Sequence, residues 1–127
     1  MADLRKHKIG WIGTGRMGFS MAARLLKKGA QVAVYNRTRA KAEPLAPLGA
    51  QLADSPAALA DRDIVFTMVA GSDDLLEVVS GPQGLLSRAG RAPKTLIDCS
   101  TISQEASARA REAARPGQCR HRCWCRR

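Results

Sequence analysis

A chain of 127 residues has room for one domain with a modest core, and 45% hydrophobic residues suit a packed fold. No segment approaches the ~20 consecutive apolar residues of a membrane-spanning helix, so no membrane partner is expected. The formal net charge of +10 would suit nucleic acid, but residues 116–127 alone add four Arg and no acid, and 4% aromatic residues cannot build a base-stacking surface, which counts against it.

Residues 1–7 are polar and basic and read as a frayed end. A first strand is expected at 8–12, an apolar run that leads straight into Gly13-Thr14-Gly15-Arg16-Met17-Gly18. A helix follows over 17–28, with Met17, Met21 and Leu25 spaced by four on one face and Gly29 as the residue that ends it. The β-branched and aromatic run 31–35 is a second strand, closed by Asn36-Arg37-Thr38-Arg39. A short helix is expected at 40–45, ending near Pro44 and Pro47, then a short strand at 51–53. Ser55-Pro56 reads as a cap followed by proline in the first helical position, for a turn or two of helix to about residue 60. The nearly apolar stretch 63–69 suits a parallel strand covered on both faces. A helix over 74–79 follows, then a Gly/Pro-rich link with a helical turn at 85–88, a strand at 95–98, and a final helix over 104–114 capped by Ser103.

Strands alternate with helices and no hairpin signal intervenes. That pattern gives a Rossmann-type α/β fold, a doubly wound parallel sheet in the order 3-2-1-4-5. Ligands of such sheets bind beyond the C-terminal strand ends where the order reverses. Four features reach that edge: the turn 13–18, the segment 36–39, the turn after Val69 and the turn after Asp98.

The strand–Gly-x-Gly-x-x-Gly–helix context is what gives the glycine pattern meaning. Gly13 lets the chain turn, Gly15 lets a pyrophosphate approach the backbone, and Gly18 lets the helix pack on the strand, while the helix start presents unpaired N–H groups to an anion. In NAD binders an acidic residue some 20 positions on takes the ribose hydroxyls. Here Asn36 stands at the end of the second strand, followed by Arg37 and Thr38. Arg37 can clamp a 2′-phosphate through paired hydrogen bonds and Thr38 can add a hydroxyl, so NADP(H) is preferred over NAD(H). Arg37 and Arg39 could otherwise be solvated turn residues. Too few residues precede the first strand for a transit peptide, and a cytoplasmic location is expected. Three of the four cysteines crowd into residues 119–125 and Cys99 reads as a small apolar filler, so no secreted disulfide framework is indicated.

The combination of Gly13-Thr14-Gly15-Arg16-Met17-Gly18, Met21-Ala22, Asn36-Arg37-Thr38 and Asp98-Cys99-Ser100-Thr101 resembles the β-hydroxyacid dehydrogenases over about residues 8–115. These include 3-hydroxyisobutyrate dehydrogenase and the glyoxylate/succinic semialdehyde reductases, with 6-phosphogluconate dehydrogenase more distant. The resemblance implies that residues 14–18 hold the cofactor pyrophosphate and that Arg37 and Thr38 meet the 2′-phosphate. It also implies that Met68 and Val69 line the cofactor groove, that Ser100 binds a small hydroxy acid or semialdehyde substrate, and that Thr101 lies close to the nicotinamide. From the residues alone, Ser100 and Thr101 could equally be turn and cap residues.

The chain departs from this pattern in two ways. The family's general acid/base is a lysine in a Gly-x-Gly-x-x-x-Lys stretch of a following helical domain, and no such stretch occurs; Lys94, at the opposite sheet edge, cannot replace it. No catalytic residue is therefore assigned, and little or no turnover is expected. Residues 1–115 are read as the NAD(P)-binding domain and 116–127 as a disordered or frame-shifted basic, Cys-rich tail that lacks the family's apolar strand. The fifth strand would then be a bare sheet edge, favouring an oligomeric or poorly soluble product. Two other functions stay open: a non-enzymatic NADP(H)-binding module, or a metal- or nucleic-acid-binding protein acting through Cys119, His121, Cys123, Cys125 and the tail arginines.

Overall fold

The computed structural model describes residues 3–88 and 90–115 and, for 120–123, the backbone. β1 (Lys8–Ile12) runs into α1 (Arg16–Lys27), and β2 (Gln31–Tyr35) follows after Gly29, which takes a φ of 86°. Two 3-10 segments, Arg39–Lys41 and Glu43–Leu48, replace the helix expected at 40–45. Pro44 and Pro47 bring no N–H to an α-helical ladder, and tighter 3-10 turns fit between them. β3 is only Gln51–Leu52, and another 3-10 turn, Pro56–Leu59, follows Ser55, whose side chain makes no capping bond. β4 (Ile64–Thr67) is shorter at both ends than the apolar run suggested. α2 (Ser72–Ser80) starts two residues before the expected point, and residues 85–88 form turns without a helix. β5 (Thr95–Asp98) and α3 (Gln104–Ala114) have the expected bounds, with Ser103 Oγ accepting the Ala106 N–H at 3.1 Å. The amino end is less frayed than expected: Asp3 caps a 3-10 turn at Leu4–Lys6.

The strands pair in the order β3-β2-β1-β4-β5-β6, all parallel. The doubly wound α/β sheet is therefore present, and it continues one strand further than expected. β6 (Arg120–Cys123) lies beside β5, with Thr95 level with Arg120 and Asp98 level with Cys123. The expectation of a bare edge at the fifth strand, with no strand in the tail, is corrected. Parallel pairing is carried by backbone N–H and C=O groups, which every residue of this segment supplies, so a polar sequence can add a strand without an apolar signature. The side chains of the ligand set expected at Cys119, His121, Cys123 and Cys125 lie outside what the structure describes.

Side chains alternate between the two faces of the sheet. Ile9, Trp11, Val32 and Val34 pack with Ala22, Leu26 and Leu45 beneath α1 and the 3-10 segments. Ile12, Ala33, Val65 and Leu96 pack with Leu75, Val79 and Ala110 beneath α2 and α3. Leu75 and Val79 are fully buried, and burial of each stabilises the docking of α2 by roughly 1.5–3 kcal/mol. Among the described residues no helix is long and apolar enough to cross a membrane.

Register fixes where the site must be. Ile12 is level with Tyr35 on one side and Thr67 on the other, and Thr67 is level with Asp98. The segments beginning at residues 13, 36, 68 and 99 thus leave the sheet along one edge. Lys94 stands at the other edge, as expected, 3.2 Å from Asp63 Oδ1.

Candidate cofactor site

A cleft of about 670 Å³ opens along the C-terminal edge of the strands, over the point where β1 separates β2 from β4. Of the residues singled out from sequence, Gly13, Gly15, Arg16, Met17, Gly18, Asn36, Arg37, Thr38, Met68 and Val69 line it. Thr14, Ser100 and Thr101 do not appear among the lining residues.

The glycine turn is built by packing on one side and left open on the other. Gly13 has a φ of 99°, and a Cβ there would collide with the Met68 carbonyl. A Cβ on Gly18 would collide with the Gly13 carbonyl, the oxygen that accepts the buried Trp11 indole N–H at 2.8 Å. Trp11 in turn stacks on Phe66 with ring centroids 5.2 Å apart. A buried indole N–H needs an acceptor, and here it pins the turn. This role of Trp11 was missed from sequence, although a tryptophan two residues ahead of the first glycine was a usable signal.

Gly15 differs. A Cβ built on it meets nothing within 4 Å, and it stands at the start of α1, where no side chain caps the helix. The first N–H groups of α1 therefore face the cleft with the positive end of the helix dipole behind them. Beside them Thr14 is 4% exposed, and its Oγ1 has no hydrogen-bond partner. An open backbone cradle, an uncapped helix start and an orphaned hydroxyl together fit a phosphate-bearing ligand.

The neighbouring wall comes from the end of β2. Asn36 Oδ1 accepts the Thr14 N–H at 3.0 Å and Asn36 Nδ2 donates to the Thr38 carbonyl at 2.9 Å. Arg37 and Thr38 line the cleft next to Lys41, which sequence reasoning missed. The opposite wall, from α2 and the link after it, was missed as well: Asp74, Glu77, Val78, Pro82 and Gln83 line it. Arg37 Nη1 reaches Asp74 Oδ1 at 3.2 Å. Arg39 turns away and pairs with Asp54 at 2.6 Å.

Ser100 is buried at 2% exposure. Its Oγ accepts the Val69 N–H at 2.8 Å, and its own N–H donates to Asp98 Oδ1 at 3.1 Å. Asp98 Oδ1 also accepts the Thr67 hydroxyl at 2.8 Å, so this network ties the ends of β4 and β5 together. Thr101 is exposed beyond it. Among the described residues no cluster of His, Cys, Asp and Glu could hold a metal ion.

A parallel α/β sheet with a strand–glycine turn–helix phosphate cradle at its switch point defines a dinucleotide-binding domain. The chain belongs to the family described as the NAD binding domain of 6-phosphogluconate dehydrogenase, which it matches over residues 8–121, and with it to the β-hydroxyacid dehydrogenases. It is 44% identical over 95 residues to the probable 3-hydroxyisobutyrate dehydrogenase-like protein 1, mitochondrial, of Arabidopsis thaliana, a match that covers 74% of this chain and 28% of that one. An imine reductase from Myxococcus stipitatus in complex with NADP+ superposes with a TM-score of 0.76 at 30% identity, covering 90% of this chain and 39% of the reductase. Its V8 variant in complex with NAD+ gives 0.77 at 26% identity, over 91% and 39% of the two chains. The chain thus spans well under half the length of these relatives.

Proposed function

We propose that the chain is the cofactor domain of a β-hydroxyacid dehydrogenase or semialdehyde reductase that takes NADP(H) in preference to NAD(H). The observation that carries this reading is the wall at the end of β2. Arg37, Thr38 and Lys41 line the cleft there, and Asn36 holds the position at which NAD binders keep a carboxylate. A guanidinium with its fork of donors suits a 2′-phosphate. The solved relatives include one with NADP+ and one with NAD+, so the choice rests on these residues of the chain itself.

In this reading the backbone from Thr14 to Gly18 holds the pyrophosphate, and Met68 and Val69 flank the groove. Ser100, whose Oγ accepts from Val69, is assigned to the substrate and Thr101 to the nicotinamide by the family resemblance rather than by the cleft. When bound, the nicotinamide gives or takes the hydride. Of the substrate classes considered, a small 3-hydroxy acid is supported by the name of the Arabidopsis relative. These 127 residues hold no Gly-x-Gly-x-x-x-Lys stretch, and a positioned acid–base group is worth typically ~10²–10⁴-fold, so by themselves they bind cofactor and turn over little.

Fluorescence titration with NADPH and NADH, for the wild type and for Arg37→Glu, tests the reading. The variant should lose NADPH affinity by roughly tenfold or more while NADH binding is unaffected. A wild type that binds neither nucleotide overturns it. Reduction of glyoxylate or succinic semialdehyde at the rate of a full-length relative would overturn the expectation of low turnover.

A further inference from the structure

Arg37 is not left free to meet a ligand. Its Nη1 is held by Asp74, which reaches it from α2. Side-chain exposures of 78% for Arg37 and 32% for Asp74 make this a pair of little value to stability. Asp74 also sits in the first turn of α2, where the helix dipole favours a carboxylate with or without an arginine. The cleft therefore sets an anion against the guanidinium that the reading above assigns to the 2′-phosphate.

We propose that Asp74 is a specificity-determining residue of the cofactor site: its carboxylate competes with the 2′-phosphate for Arg37 and tempers the preference for NADP(H) over NAD(H). This rests on the NADP(H) reading above. A guanidinium has five donors in one plane, so a phosphate that takes the donors Asp74 leaves still stands beside the carboxylate. Two anions about 5 Å apart at an exposed site cost roughly a five- to tenfold factor in affinity. NAD(H) has a neutral hydroxyl at that position and suffers no such penalty. A carboxylate can even accept from it, the part that an acid at the end of β2 takes in NAD binders. Here Asn36 occupies that end, and the acid comes from α2 instead.

The test is titration of the 127-residue protein with NADPH, NADH and 2′,5′-ADP, with thermal melting as a control for folding. Asp74→Asn should bind NADPH and 2′,5′-ADP about five- to tenfold more tightly and NADH no more tightly than the wild type, and the gain should shrink at about 0.5 M salt. Asp73→Asn removes the same charge from the same turn, but Asp73 lines the shallow groove against α3, so it should change neither affinity by more than about twofold. If Asp74→Asn does not melt cooperatively, Asp74→Ser carries the comparison with the same expected gain. An unchanged NADPH-to-NADH ratio, or an equal gain from Asp73→Asn, overturns the proposal. If the ratio is unchanged while Arg37→Glu still loses NADPH, only Asp74's part falls. If the wild type binds neither nucleotide, the proposal falls together with the cofactor reading.

Discussion

Asn36 braces the glycine turn of its neighbouring strand: its Oδ1 accepts the Thr14 N–H at 3.0 Å. The same amide donates from Nδ2 to the Thr38 carbonyl at 2.9 Å, so one side chain sets both the glycine turn and the segment that carries Arg37. Asparagine is the residue for this because it accepts on one side and donates on the other.

Asn36→Asp should therefore alter cofactor choice more than fold. The carboxylate still accepts from Thr14 but has no proton for Thr38, and it adds a negative charge at the wall assigned to the 2′-phosphate. NADPH binding should weaken by about tenfold while NADH is held or gains, in titrations run side by side. Asn36→Ala loosens both contacts and should weaken the two cofactors alike. A NADPH-to-NADH ratio unmoved by Asn36→Asp would remove the adenosine ribose from this wall.

Gly15 and Gly13 give opposite expectations from the same substitution. Gly15→Ala places a Cβ in open space and leaves an extended backbone that alanine adopts, so stability should stay within about 1 kcal/mol of the wild type or rise slightly. The methyl then occupies the room that a pyrophosphate needs, and binding of either nucleotide should fall more than about tenfold. Gly13→Ala must strain a φ of 99° and displace the Met68 carbonyl, at a cost of about 3 kcal/mol in chemical denaturation. Gly15→Ala with wild-type affinity would mean that the ligand does not lie over this turn.

How far the sequence could be read follows from which signals are local. β1, β2, β5 and α3 have the bounds expected of them, because apolar runs, a serine cap and flanking glycines mark their ends. The wall of the cleft formed by Gly13–Gly18 and Asn36–Thr38 was legible for the same reason, since both are short motifs directly following strands. The wall from α2 was not. Asp74 and Glu77 look like ordinary charges of a solvated helix face until tertiary packing of Leu75 and Val79 turns that helix toward the glycine turn. Ser100 was read as a substrate ligand from resemblance, and its bond to the Val69 N–H is a contact across 31 residues that no local pattern announces. β6 escaped because its side chains give no strand signal and the ladder that holds it is backbone.

Asp63 gives the fold a pH dependence remote from the cleft. Its Oδ2 accepts the Lys8 N–H at 2.9 Å and its Oδ1 lies 3.2 Å from Lys94 Nζ. The backbone hydrogen bond first, and the Lys94 ammonium second, hold the carboxyl below its ordinary value of 3.8. A carboxyl with a lowered value in the folded state binds fewer protons there than in the unfolded chain. Its contribution is therefore fully present above the unfolded value and is lost as pH falls through the lowered one. Asp63→Asn still offers Lys8 an acceptor but no charge to Lys94. At neutral pH it should be less stable than the wild type by about 0.5–1 kcal/mol, a modest figure because the Lys94 side chain is 82% exposed. Urea midpoints of the two proteins should converge as pH is lowered from about 5 toward 3, since the wild type alone loses this charge. A gap that stays constant across that range would show that Asp63 acts through packing and not through its charge.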